Sequence, residues 1–250
     1  MIIDAHTHVG IGSPHYGRSK NFSFSGRFTG TDLVALMDTV GIDRCLCFAM
    51  GTRLSDEGIR LSIDAVQKHP DRLRAFYWAN PYDPRSVKGF EQAVKEYGLS
   101  GLKLHPTSDG WQADDHIVDP LMEKAAELGV PCTIHSHQPG SQPTLVGEMA
   151  ARWPTVPVIM AHMGMHNYKD AIYVAVHQPN VILESSVQPW IHRIARGIVD
   201  RIGPERLMYG SDAPLHHPKV EMTKIEVSFL TDDQRKMVMG ENIRRLLKWD

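Results

Sequence analysis

The pentapeptide Asp4-Ala5-His6-Thr7-His8 sets two imidazoles two residues apart in an otherwise apolar run. Side chains alternate faces along a strand, so Asp4, His6 and His8 project to one side, with the histidine Cα atoms about 7 Å apart. Two imidazoles at that separation can grip one ion. Packed core histidines are the competing explanation, and burial would require each to be neutral or hydrogen-bonded. Residues of metal-ligand type also close four further apolar runs: Lys103 and His105, His135 and His137, His162, and Asp212. One shared site accounts for all of them. Three histidines and a carboxylate make an N/O donor set suited to Zn2+ and acceptable to Mn2+, iron or cobalt. His6, His8, His135 and Asp212 are the expected ligands of a divalent metal, most simply Zn2+, with a fifth position open to water or substrate. His162 is the expected acid/base, because an imidazole beside a cation stays neutral and can relay a proton; Asp212 shares that work.

Other side chains suit substrate binding. Lys103 either anchors a carboxylate as a free lysine or, if carbamylated, bridges two metals. His105, two positions further along the same face, lines the pocket. Arg53, just after the second apolar run, can pair with a carboxylate. Trp111, Phe22, Phe24 and Phe28 can wall the cavity. Asp4 either holds a ligand imidazole or points to the floor. His137 and His166 fall in loops.

Side chains so far apart in sequence meet only if a regular scaffold gathers them. Short runs rich in Val, Ile, Leu and Cys recur eight times, from Ile2, Arg44, Leu73, Gly101, Cys132, Val156, Val181 and Leu207, with amphipathic stretches between. That alternation predicts parallel strands covered by helices. Eight such units make a (β/α)8 barrel, whose strand ends converge on one mouth. Between units, Thr31 reads as the cap of a helix ending at Gly41. Asp119 caps another that carries Pro120 and stops at Gly129. Thr231 to Lys248 supplies one or two closing helices, with Asn242, Ile243, Leu246 and Leu247 at helical spacing. The connection from Val9 to Gly30 lacks periodicity and lies over the mouth, a position for a functional loop.

Composition excludes several other roles. With 42% hydrophobic and 22% charged residues, the 250-residue chain is neither disordered nor fibrous, and one domain over residues 1–250 is expected. A formal charge of −2 without basic runs argues against nucleic acid or an anionic membrane as partner. No apolar stretch approaches the roughly 20 residues of a membrane helix, and the first residues lack a signal-peptide pattern, so a cytoplasmic location is expected. Cys45, Cys47 and Cys132 lie in apolar runs and read as reduced core cysteines. The Cys45/Cys47 spacing could instead add thiolates to a metal.

Five motifs in order carry a resemblance: Asp4-Ala5-His6-Thr7-His8, Gly101-Leu102-Lys103-Leu104-His105-Pro106, Thr133-Ile134-His135-Ser136-His137, Met160-Ala161-His162-Met163-Gly164 and Tyr209-Gly210-Ser211-Asp212-Ala213-Pro214. Together they resemble the amidohydrolase superfamily, in its amidohydrolase-2 branch. That branch includes aminocarboxymuconate semialdehyde decarboxylase, related aromatic-acid decarboxylases and several lactone or amide hydrolases. The resemblance implies a distorted (β/α)8 barrel with extra C-terminal helices. It also implies a divalent metal on His6, His8, His135 and Asp212, with His162 near the reacting atoms. The expected activity is metal-dependent hydrolysis of a small amide, lactone or ester bearing a carboxylate, since the chain has little room for the insertions of many decarboxylases. Non-oxidative decarboxylation of a small aromatic or unsaturated acid is the alternative, and a non-catalytic metal- or ligand-binding barrel a third. A small-molecule substrate is the expected partner, and the outer helices offer surfaces for a homodimer.

Overall fold

The computed structural model describes residues 1–11, 27–50 and 56–250. All eight apolar runs form strands. The chain begins with β1 (Ile3–Ile11), β2 (Arg27–Phe28), α1 (Gly30–Val40), β3 (Arg44–Met50), α2 (Asp56–Lys68), β4 (Leu73–Trp78) and α3 (Ser86–Tyr97). It continues through β5 (Leu102–Leu104), α4 (Pro106–Asp109), α5 (Asp119–Leu128), β6 (Cys132–His135), α6 (Pro143–Arg152), β7 (Val158–Ala161) and α7 (Tyr168–His177). It ends with β8 (Val181–Glu184), α8 (Ile191–Ile202), β9 (Leu207–Met208), α9 (Pro218–Glu226), α10 (Asp232–Lys236) and α11 (Asn242–Leu246).

The sheet order is β2-β1-β3-β4-β5-β6-β7-β8-β9, parallel everywhere except at β2. It curls into a distorted (β/α)8 barrel. Three backbone bonds span the seam: Ala5 N–H to Tyr209 O at 3.0 Å, Asp212 N–H to His6 O at 2.7 Å and His8 N–H to Ala213 O at 2.6 Å. The His6–His8 end of β1 is thereby tied directly to the segment that carries Asp212.

Strand alternation divides the apolar residues into two clusters. Ile3, Ala5, Leu46, Phe48, Phe76, Ile159, Ile182 and Met208 pack together inside the barrel. Their neighbours Cys45, Cys47, Val158, Met160, Val181 and Leu183 join the larger cluster beneath the helices. The cysteines are buried and unpaired, and burial pushes the Cys47 thiol up to about 12, which argues against a thiolate ligand. The floor is closed from the C-terminus by Ile243 and Trp249. The guanidinium groups of Arg44 and Arg74 lie 5.2 and 5.4 Å from the Trp249 ring centroid, and Arg44 donates to the Trp249 carbonyl at 2.9 Å.

Several local expectations change. β1 runs on to Ile11, and Arg27 and Phe28 pair with it antiparallel, so both ends of the Val9–Gly30 connection are strand. Residues 12–26, including Phe22 and Phe24, lie outside the described residues. Phe28 packs on the outer cluster. The cap of α1 is Thr29 and not Thr31, because only Thr29 has Asp32 at the third helical position to complete a reciprocal capping box. Asp119 does not cap α5; its carboxylate is taken by His116, Arg152 and Trp153. Among the described residues no helix is long and apolar enough to cross a membrane.

Trp249 fills the barrel floor with few atoms able to replace it. Trp249→Ala should lower stability by about 3–5 kcal/mol, read as a lower midpoint of urea unfolding.

Candidate metal centre

A bulge re-aims the end of β1. Asp4 opposes Cys45 while Thr7 opposes Cys47, so three steps along β1 match two along β3. Regular alternation is broken between Asp4 and the histidines. Asp4 accordingly bonds no imidazole among the described residues. It accepts the backbone N–H groups of His6 and Ser211 at 3.1 and 2.9 Å and locks β1 to the segment after β9.

His6 and His8 point at Asp212. Oδ1 of Asp212 lies 3.0 Å from His8 Nε2 and 3.3 Å from His6 Nε2. One ligand atom each from His6, His162 and Asp212 lie within 4.8 Å of one another, and all three residues are buried. His135 enters from the end of β6, its ring 4.9 Å from that of His162. Thus the five expected metal and acid/base residues share one buried mouth, while the tightest trio contains His162 and not His135.

Electrostatics of the cluster follow from its burial. Loss of solvent holds His6, His105 and His135 well below the ordinary imidazole range and pushes His162 down to about 3. These rings are neutral at pH 7. Asp212 behaves oppositely: burial would raise it, but the hydrogen bond from His8 and the surrounding rings keep it well below the usual carboxylate range. The buried atoms His6 Nε2, His8 Nδ1 and His135 Nε2 have no hydrogen-bond partner among the described residues. Open lone pairs on His6 Nε2 and His135 Nε2 in a mouth that also holds an ionised carboxylate are donors that fit a divalent cation, whereas His8 turns Nε2 toward Asp212 and Nδ1 away from it.

Lys103 stands on β5 with Nζ 4.7 Å from the centre of the Phe48 ring, and burial brings its ammonium down to about 8. Among the described residues it has no hydrogen bond or ion pair within 4 Å, although Asp212 and Glu184 favour its charge. His105 lies one residue past β5. It caps α4, accepting the Ser108 N–H on Nδ1 at 3.1 Å. Its ring is sandwiched between His135 at 3.8 Å and Trp78 at 5.3 Å, nearly parallel to both. Trp78 in turn donates to Asp109 at 3.2 Å.

Trp78, at the end of β4, therefore holds a place that the sequence reading gave to Trp111. Trp111 is buried in the outer hydrophobic cluster. Arg53 lies outside the described residues. His137 is half-buried in a loop 5.1 Å from the His135 ring, and His166 packs edge-on to Trp190.

Sequence reasoning missed Glu184 at the end of β8. Fully buried, it meets His6 Nδ1 at 2.9 Å and the His162 backbone N–H at 3.2 Å. Its position at the carboxyl end of a barrel strand was the available signal. Gly210 makes room for it: a Cβ there would collide with Glu184 Oε1 and come within 2.8 Å of His6 Cβ.

The chain is similar to the decarboxylase orsB of Emericella nidulans, 27% identical over 235 aligned residues, with 72% of this chain and 71% of that one covered. Its fold matches 5-carboxyvanillate decarboxylase LigW from Sphingomonas paucimobilis with a TM-score of 0.77 at 18% identity, covering 99% of this chain and 98% of that one. It also matches a dihydroxybenzoic acid decarboxylase from Polaromonas sp. JS666 with bound manganese, TM-score 0.74 at 17% identity, over 99% and 96% of the two chains. A family model described as Amidohydrolase runs from residue 3 to residue 249, and the chain belongs to that amidohydrolase family.

Proposed function

We propose that this protein is a metal-dependent, non-oxidative decarboxylase of a small aromatic or unsaturated carboxylic acid. The observation that carries the reading is the buried Lys103 ammonium, which shares the pocket of the histidines and Asp212 without a close counter-ion among the described residues. An anionic substrate would supply that partner. The choice of decarboxylation over the hydrolysis expected from sequence rests on the relatives, because the three proteins compared above are all named decarboxylases. Chain length does not oppose it, since the fold match extends across 98% of one of those decarboxylases.

His6, His8, His135 and Asp212 would hold the divalent ion. When bound, it would attract an oxygen anion of the substrate and stabilise negative charge as that charge develops. Zn2+ suits the donor set, and Mn2+ is the ion bound by the Polaromonas protein. The chain's own groups handle the rest. Lys103 binds the acid; His105 and Trp78 buttress His135 by stacking. The bond between carbon and carboxyl breaks, its electron pair stays on the carbon, and CO2 leaves. A proton must then reach that carbon. His162, neutral by burial, is placed to relay one and not to store it.

Four outcomes test the reading. With carboxyl-13C hydroxybenzoates in deuterated, 18O-enriched water, mass spectrometry should find 13CO2 and one deuterium on the product carbon. No 13CO2 from the hydroxybenzoates, with one solvent oxygen entering the acid formed from an ester, lactone or amide offered in the same water, would mean hydrolysis instead. His8→Ala should lose metal and turnover together. His162→Ala should keep its metal by elemental analysis and lose turnover by about 10²- to 10⁴-fold. Lys103→Met, which removes a charged contact to substrate, should raise KM about 10- to 100-fold.

A further inference from the structure

We infer that Glu184, directly and through Ser186, sets the tautomers of His6 and His162 together, so that both rings turn a bare Nε2 toward the site. The inference deepens the functional reading above and rests on it for the roles of the two rings. Its physical basis is a count of hydrogens. Oε1 of Glu184 accepts the Ser186 N–H. Oε2 accepts the His162 backbone N–H at 3.2 Å and faces Ser186 Oγ at 2.8 Å and His6 Nδ1 at 2.9 Å. Each oxygen accepts a backbone N–H, and an ionised Glu184 has no hydrogen of its own to give. Ser186 must therefore give its single hydroxyl hydrogen to Glu184.

Ser186 Oγ then has only lone pairs left for His162 Nδ1, which stands 2.8 Å away. The ring hydrogen of His162 is fixed on Nδ1, as is that of His6. Both Nε2 atoms are left as acceptors, and His6 Nε2 lies 3.3 Å from Asp212 Oδ1 with no hydrogen bond among the described residues. A hydrogen on either Nε2 would block the nitrogen from an ion or an incoming proton. Glu184 is thus a positioning residue, acting from β8 on side chains carried by β1 and at the end of β7. The same pocket contains a counter-example. His105 Nδ1 accepts the Ser108 N–H, so its hydrogen is forced to Nε2.

The test is long-range 1H–15N correlation NMR on the full chain, labelled with 15N-histidine and stripped of metal with a chelator. His6 and His162 should show the Nδ1–H signature and His105 the Nε2–H signature. Ser186→Ala should move His162 toward Nε2–H while leaving His6 unchanged, and Ser186→Thr should restore it. Glu184→Gln should weaken Mn2+ binding, by calorimetric titration, about 10- to 100-fold. An Nε2–H signature for His162 in the unaltered chain, or an unmoved His162 in Ser186→Ala, overturns the inference. Because these readouts need no turnover, a protein with the expected tautomers that releases no CO2 refutes the functional reading alone.

Discussion

The constraint on which this molecule is built is the burial of many ionisable groups in one small volume. Removing an imidazole, a carboxylate or an ammonium from water is costly unless it is neutral, hydrogen-bonded or paired. The barrel mouth uses each of these solutions. Four imidazoles are neutral, Glu184 is surrounded by donors, and Asp212 keeps its charge beside His8. What remains is imidazole nitrogens without partners among the described residues, close to one anion and to a buried ammonium. Such a surface attracts a cation and an acid at once.

The two ends of the barrel divide the tasks of stability and chemistry. At the floor, aromatic and aliphatic side chains from the strands meet Trp249 and Ile243 and exclude polar groups apart from the cationic stems over the indole. At the mouth, the layer above Phe48 is polar. Lys103 rests on that ring, and the edge of Phe48 also packs against His6. Phe48 is the boundary between the two regimes. The seam bonds from β1 to the Asp212 segment tie the floor to the candidate ligands, so that residues far apart in sequence keep fixed separations.

Much of this could be read from the chain because strand ends in a parallel barrel are a strong pattern: apolar runs of even spacing, each finishing in a residue able to bind or transfer something. Six of those endings, His6, His8, Lys103, His135, His162 and Asp212, were legible for that reason. Glu184 was hidden because Glu184-Ser185-Ser186 looks like the polar end of any strand, and its partners lie on other strands. Trp78 lost out to Trp111 because stacking depends on where a ring lies in space. The displaced Asp4 reflects a bulge, which leaves no mark in a single sequence beyond one extra residue. Thr29 and Thr31 are both sound caps locally; Asp32 decides between them only once the helix start is known.

His162 and Asp212 sit at φ values of +61° and +64°, and His137 at +120°, in a backbone region that side chains with a Cβ seldom adopt. The surrounding hydrogen bonds and packing impose those conformations. These candidate site residues are therefore held against their own backbone preference by the rest of the protein. Glycine at such a position would relax the main chain while removing the side chain on which the proposed chemistry depends. Selection for heat resistance alone would drift toward sturdier and inert descendants, and robustness with activity would have to be gained at places such as the helix exteriors, away from the mouth.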